Sequence, residues 1–214
     1  METGNGNGGK NSLMLRVQRI LRGSATFEDR FVSDHDELLE MARILRSMGC
    51  AIGYTEGVFD LFHIGHADYL KVGKDAAVKV CSSAEQVVLV VGADSDALTK
   101  SRKGPGRPIA PEGERCQILG HLRSVDIITV LHEPEVFNRN LHPEVRIISE
   151  STGDNPDKED MKRYCDELVC LPPQRPTGTT ATIRTLALEG GVAAIEKVRH
   201  KLVTVLEETL HELG

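Results

Sequence analysis

The run Gln86–Asp94, QVVLVVGAD, sets the strongest limit on what this chain can fold into. It is continuously apolar and rich in β-branched residues, with no alternation of polar and apolar positions. Such a strand is buried on both faces, which is the habit of parallel sheets covered by helices on each side. The segments around it fit that pattern. CAIGYTEG reads as a short strand ending at glycine, GHADYLKVGKDAAVKVC as a helix and PEGERCQILGHLRSV as a helix with acids at its start. DIITVL, VRIISE and LVCLP read as further strands, with a polar helix in NPDKEDMKRYCDEL between the last two. Strands alternating with helices predict βαβ crossovers and a doubly wound α/β fold, a parallel sheet with helices on both faces.

Helical extensions are expected at each end. Residues 1–12 are polar and Gly-rich and are expected to be a disordered tail. Residues 13–48 read as an N-terminal helical extension: LMLRVQRILRG has helical spacing, and a second helix begins at a Ser33 or Asp34 cap and closes before Gly49. Residues 49–190 form the sheet domain and 191–214 a C-terminal helix, within a helical stretch from Thr180 to Leu213 broken near Gly190–Gly191.

Composition narrows the function. Among 214 residues the net charge is -6, which disfavours a nucleic-acid binder. No apolar run approaches the ~18 residues of a bilayer span, and the N-terminus lacks the apolar core of a signal peptide. The five cysteines contain no CxxC pair, as expected of reduced thiols in a cytoplasmic protein without a disulfide frame or a cysteine zinc site.

In open parallel sheets ligands bind beyond the carboxyl ends of the strands. Three loops fall there. In TEGVFDLFHIGH, His63 and His66 flank Gly65 at a helix start, where free amides favour an anion. As metal ligands the pair lacks a well-spaced third partner, and as packed core histidines they would be oddly placed. The second loop, GADSDALTKSRKGPGRPI, gathers Lys100, Arg102, Lys103 and Arg107 among glycines and prolines, and is expected to be mobile and lid-like. The third, LPPQRPTGTTATIR, puts Arg175, Gly178 and a set of threonines at another helix start. Three anion-ready loops at one sheet edge predict a polyphosphate substrate. There is no GxxxxGK[ST] loop for a P-loop NTPase, and GADSDA is not the GxGxxG of a nicotinamide site.

GVFDLFHIGH resembles the GxFDxxHxGH signature of the cytidylyltransferase-like nucleotidyltransferases. DALTKSRKGPGRPI, ERCQILGHLRSVDIITV and RPTGTTATIR follow in the order and spacing of that family, so the resemblance spans about residues 34–188. HxGH alone is shared with class I aminoacyl-tRNA synthetases, but no KMSKS-like loop is present. Two branches are close. The lipid-headgroup cytidylyltransferases are matched by FDLFHIGH, QRPTGTTATI and Arg175. The branch that adenylylates heptose 1-phosphate is matched by LKVGKDA, KGPGRPI and DELLEMARILRSMG. Pro176 and Thr177 stand where the first branch has Thr–Glu, and Thr180–Ala181–Thr182 where it has Ser–Thr–Thr.

The resemblance implies a Rossmann-like fold and a homodimer, to which the apolar stripe of IEKVRHKLVTVLEETL is suited. It implies transfer of a nucleotidyl group from a nucleoside triphosphate, with CTP favoured, to a phosphorylated small molecule, releasing pyrophosphate. The alternatives are adenylyl transfer from ATP to a sugar phosphate such as heptose 1-phosphate, and a nucleotide-binding protein without turnover. His63 and His66 would donate to the phosphates and Lys103 would bridge both substrates, with Lys100 assisting. Thr55, Gly57, Phe59, Gly65, Asp94, Arg115, Arg175, Gly178, Thr180 and Thr182 would line the nucleotide site, Arg115 on a phosphate. Asp60 would orient its loop near the metal. Mg2+ would ride on the triphosphate, with no dedicated protein metal site.

Overall fold

A computed structural model describes residues 6–150, 158–175, 187, 188, 190 and 191. The chain divides into two compact units, Met1–Pro176 and Thr177–Gly214. The first holds a sheet of 5 strands in the order β3-β2-β1-β4-β5, all parallel. The strands are β1 (Cys50–Gly57), β2 (Gln86–Asp94), β3 (Ile127–Leu131), β4 (Val145–Ser149) and β5 (Glu167–Leu171). The helices are α1 (Gly6–Leu21), α2 (Phe27–Arg30), α3 (His35–Ser47), α4 (Ile64–Val80), α5 (Asp96–Lys103), α6 (Glu112–Gly120), α7 (Pro134–Leu141) and α8 (Lys158–Lys162).

The period of two along the strands sorts the core into two layers. Ile52, Tyr54, Val88 and Val90 pack with Val17 and Ile20 of α1, Leu38, Met41 and Leu45 of α3, and Phe137 and Leu141 of α7. Ala51, Val87, Leu89 and Val91 pack on the other face with Leu70 and Ala77 of α4 and Cys116 and Leu119 of α6. Strand order reverses between β1 and β4, so chains leaving these two strands diverge and open a crevice at their carboxyl ends.

Three expectations change. Helix α1 begins at Gly6, so the unstructured tail does not extend to residue 12. The second basic loop contains a helix: Ser95 Oγ accepts from Leu98 N at 3.1 Å, Asp96 lies in the first turn, and Gly104 ends α5 with φ 92°. Its Lys, Arg, Gly and Pro content masked these capping signals. Helices α2 and α7 were not anticipated, being short and opened by Thr26 and Pro134 within polar sequence. The helix expected over 180–213 lies outside the described residues apart from positions such as Gly190 and Gly191, which are helical where a break was expected.

The N-terminal extension closes the β3 edge of the sheet. Phe31 forms a parallel bridge with Ile128, and Val32 N donates to Ile128 O at 2.9 Å. An exposed strand edge is a site for aberrant pairing, and this contact shields it. The Arg30 guanidinium then donates to the carbonyls of Gly120 (2.7 Å), Leu122 (3.3 Å), Val125 and Asp126 (3.3 Å), the turn that joins α6 to β3. Arg30→Ala leaves these carbonyls short of donors. Its unfolding free energy, read from urea titration at unchanged m-value, is expected to drop by about 3 kcal/mol. A drop under about 1 kcal/mol would show that the extension is not anchored this way.

Candidate active site

The crevice is built around the start of α4. His63 is its N-cap, extended at φ -135° and ψ 169°, and its Nδ1 accepts from Gly65 N at 3.1 Å. That bond fixes the tautomer: a neutral ring accepting at Nδ1 carries its proton on Nε2. Gly65 makes room for the ring, because a Cβ there would lie 2.9 Å from His63 Cε1 and Nδ1. The His66 ring stacks on His63 at 3.9 Å between centroids. Phe59 meets it edge-on at 5.6 Å and Phe62 lies at 5.3 Å. Burial in this aromatic box, helped by repulsion from His63 and Lys103, lowers the His66 pKa to about 4, and burial lowers that of His63 as well. Two neutral imidazoles therefore sit at an anion-favouring helix terminus. The Nδ1 of His66 is buried and has no hydrogen-bond partner among the described residues.

Asp60 holds the second loop in place. Its side chain is 1% exposed and accepts from Arg107 Nε at 2.8 Å, Ala110 N at 2.9 Å and Ile109 N at 3.1 Å. Burial alone would raise its pKa, but the amides of Ala110 and Ile109 together with Arg107 outweigh burial and hold it below the ordinary value. The loop beyond Gly104 is thus tethered, against the expectation of a mobile lid. Asp60 ties that loop to the turn before α4, with its carboxylate engaged by those donors. The turn carrying it needs left-handed backbone at two non-glycine residues, Phe59 (φ 51°) and Leu61 (φ 45°), strain typical of a functional loop.

Arg115 departs from its expected role. It is buried, with a fully enclosed side chain, and donates to Val58 O at 2.5 Å, Asp94 O at 2.7 Å, Asp96 Oδ1 at 2.8 Å and Ala110 O at 3.0 Å. It staples the ends of β1 and β2 to α5 and the tethered loop, beneath the crevice rather than on a phosphate. Thr55 is likewise committed within the protein. Tyr69 Oη donates to Ile147 O at 3.2 Å, so the Thr55 hydroxyl donates to Tyr69 Oη at 2.8 Å. Gly57 faces the Phe59 ring, which a Cβ would meet at 3.4 Å.

The remaining residues divide. Lys103 is exposed at the end of α5 and close enough to His66 and Asp94 to act on both electrostatically. Lys100 is exposed on the same helix. Asp94, at the end of β2, is 4% exposed. Burial raises its pKa, Arg102 reaches its Oδ2 at 3.4 Å, and its Oδ1 has no partner among the described residues. Arg175 comes to α4, donating to Asp68 Oδ2 at 2.7 Å. Its Cβ lies 3.5 Å from where a Cβ on Gly65 would stand. Gly178, Thr180 and Thr182 lie outside the described residues. One polar group was missed: Glu56 of β1 binds Arg146 of β4, Tyr54 and Asn138 of α7 across the strand reversal. The available signal was an arginine inside the otherwise apolar VRIIS.

The His66 shift sets a pH dependence. Its pKa is about 4 in the folded protein against 6.5 ordinarily, so the unfolded chain binds more protons between those values and stability falls as pH drops through that window. The loss from this group is on the order of 2 kcal/mol. In urea unfolding at successive pH values, His66→Gln should lose correspondingly less than the wild type. Parallel curves would mean that His66 is not held neutral.

Comparison with known proteins identifies the family. The bifunctional protein HldE of Nitratiruptor sp. is 34% identical over 116 residues, covering 54% of this chain and 23% of that protein. The protein of the same name from Rhodopseudomonas palustris is 30% identical over 119 residues, 56% of this chain and 22% of that one. That from Wolinella succinogenes is 34% identical over 122 residues, 56% and 24%. The chain thus spans about a quarter of the length of these curated relatives. Among solved structures, a lipopolysaccharide core biosynthesis protein from Thermoplasma volcanium aligns with a TM-score of 0.47 at 20% identity, over 59% of this chain and 98% of that one. The family model described as cytidylyltransferase-like matches residues 54–185, from β1 through the histidine pair and the basic helix to the third loop. By that match the chain belongs to the cytidylyltransferase-like family.

Proposed function

We propose that the chain transfers a nucleotidyl group from a nucleoside triphosphate to a phosphorylated small molecule and releases pyrophosphate. The observation that carries this reading is the stacked pair of neutral imidazoles at the start of α4, with Lys103 beside it. A phosphate oxygen of the acceptor attacks the α-phosphorus in line, the bond to the bridging oxygen breaks, and pyrophosphate leaves with that electron pair. The nucleophile is already anionic, so no general base is needed. Catalysis consists of holding two anions together and stabilising charge on the α-phosphoryl and leaving groups. The Nε2–H of His63 is a preorganised donor for such a task. Lys103, exposed and unencumbered by burial, is suited to lie between the two substrates.

Mg2+ is proposed to arrive on the triphosphate oxygens, where it supplies further positive charge to the leaving group. No group of three or more potential ligands is assembled among the described residues, and Asp60 is engaged by Arg107 and backbone amides. The engagement of Asp60 favours a metal carried by the nucleotide over one held at that carboxylate. Arg175 is 55% exposed in its pair with Asp68 and can exchange that carboxylate for a phosphate at little cost.

Two nucleotide readings are supported. The relatives named HldE, together with the heptose-type segments LKVGKDA and KGPGRPI, favour ATP with a sugar phosphate. Arg175 beside the histidine helix favours CTP, as in the lipid-headgroup branch. The true nucleotide should stabilise the protein against heat, by about 2.7 kcal/mol at a hundred times its Kd, and the other should not. Equal response to both would mean that the base is not selected.

With the productive nucleotide and acceptor, His66→Ala and Lys103→Ala should each reduce turnover about a hundred- to thousandfold, the effect of losing one preorganised donor. Pyrophosphate release is the readout, with folding checked by circular dichroism. Near-wild-type turnover in either variant would overturn the assignment. Nucleotide binding without pyrophosphate release across an acceptor panel would favour a binding protein over an enzyme.

A further inference from the structure

The polar cluster at the strand reversal differs in chemistry from the phosphate side of the crevice. Tyr54 and Arg146 are paired in register on β1 and β4, and Glu56 lies two residues beyond Tyr54 on the same face. Arg146 Nη2 donates to Glu56 Oε1 at 2.9 Å, while Tyr54 Oη (2.6 Å) and Asn138 Nδ2 (3.1 Å) donate to Oε2. Tyr54, Asn138 and Arg146 are all buried, and the Glu56 side chain, 23% exposed, is where the cluster opens to solvent. Such a network in a strand pair that needs only apolar contacts for folding is costly unless it serves another purpose.

What the cluster lacks is informative. Asn138 is 4% exposed and its Oδ1 has no hydrogen-bond partner among the described residues. Asp94, on the neighbouring strand and close enough to act electrostatically on Tyr54, is also 4% exposed with an unpartnered Oδ1. Glu56 Oε1 accepts a single bond, leaving a lone pair. The buried unpartnered oxygens call for a donor, while Arg146, whose side chain makes one hydrogen bond among the described residues from its five N–H groups, retains donors of its own. A phosphate brings only acceptors and negative charge, so it belongs on the histidine side. An ammonium group would seek net negative charge, but Glu56 is offset by Arg146 and Asp94 by Arg102. Neutral hydroxyls satisfy both conditions.

Building on the proposed nucleotidyl transfer, we infer that Glu56, Asn138 and Asp94, braced by Arg146 and Tyr54, form a recognition site for substrate hydroxyls, and that the acceptor is a polyhydroxylated phosphate. The cluster lies on the α7 face of the sheet, whereas the histidines stand on α4, which covers the opposite face. That separation places the hydroxyl-bearing body of a substrate on one side of the crevice and phosphates on the other. The ribose of the triphosphate also carries hydroxyls, and the two sources are separable.

Pyrophosphate release is measured for the full chain with ATP and with CTP. The acceptors are six- and seven-carbon aldose 1-phosphates and glycerol 3-phosphate, against phosphoethanolamine and phosphocholine. The polyhydroxylated acceptors should exceed the other two in kcat/KM by tenfold or more. Glu56→Gln and Asn138→Ala should raise acceptor KM about tenfold with a smaller change in kcat, while thermal stabilisation by the triphosphate is retained. Stabilisation by ribo- and 2′-deoxyribonucleoside triphosphates forms the second arm. If the variants abolish a preference for the ribonucleotide and leave acceptor KM unchanged, the site holds the ribose, and the acceptor assignment is overturned. Preference for phosphoethanolamine or phosphocholine, or variants altering neither arm, overturns hydroxyl recognition while leaving nucleotidyl transfer intact. Absence of both turnover and triphosphate binding would remove the proposed function, and this inference with it. Should Glu56→Gln fail to fold, the wild-type acceptor ranking still decides.

Discussion

The buried guanidinium of Arg115 is the interaction on which the crevice depends. An arginine with no solvent exposure is tolerable only where its donors find partners, and here they reach three backbone carbonyls and one carboxylate. Those partners come from the ends of β1 and β2, the start of α5 and the tethered loop. Asp60 repeats the device with opposite charge, gathering Arg107 and the amides of Ile109 and Ala110. One buried cation and one buried anion thus fix the loops that surround the histidines. The two together explain how a segment rich in glycine and proline presents Lys103 at a defined place.

This frame gives the histidines their electrostatics. The two rings stack on each other, His66 packs against Phe59 and Phe62, and burial lowers the pKa of both, with repulsion from His63 and Lys103 adding to the shift at His66. A neutral imidazole at a helix start still donates a hydrogen bond but demands no counter-charge in the free enzyme. When a polyanion arrives, its charge favours the donor orientation already present, so little reorganisation is required. The N-terminal extension supports the same frame from below, because Arg30 holds the turn after α6, the helix that carries Arg115.

Much of the fold was legible in sequence because its signals are periodic. The run QVVLVVGAD predicts a fully buried strand, and β2 occupies Gln86–Asp94. The Asp34 cap of α3 and the start of α4 beside His63 follow from local chemistry as well. Signals that depend on tertiary partners were not legible. The family resemblance implies a phosphate contact for Arg115, and only the fold reveals that its partners are carbonyls from distant segments and the Asp96 carboxylate. Ser95 and Gly104 bound a helix whose composition resembles a loop. Glu56 and Arg146 are separated by 90 positions along the chain and meet only because strand order reverses between β1 and β4.

The central claim is that His63 and His66 are neutral donors awaiting a triphosphate. Nitrogen-15 NMR of the imidazole rings tests it most directly, titrated with pH and then with magnesium–ATP and magnesium–CTP. The account predicts that His63 occupies the Nε2–H tautomer, that both rings are neutral at pH 7, and that their N–H resonances shift downfield on addition of the preferred nucleotide. A His66 ring that is protonated at pH 7, or ring resonances unmoved by saturating nucleotide, would contradict it.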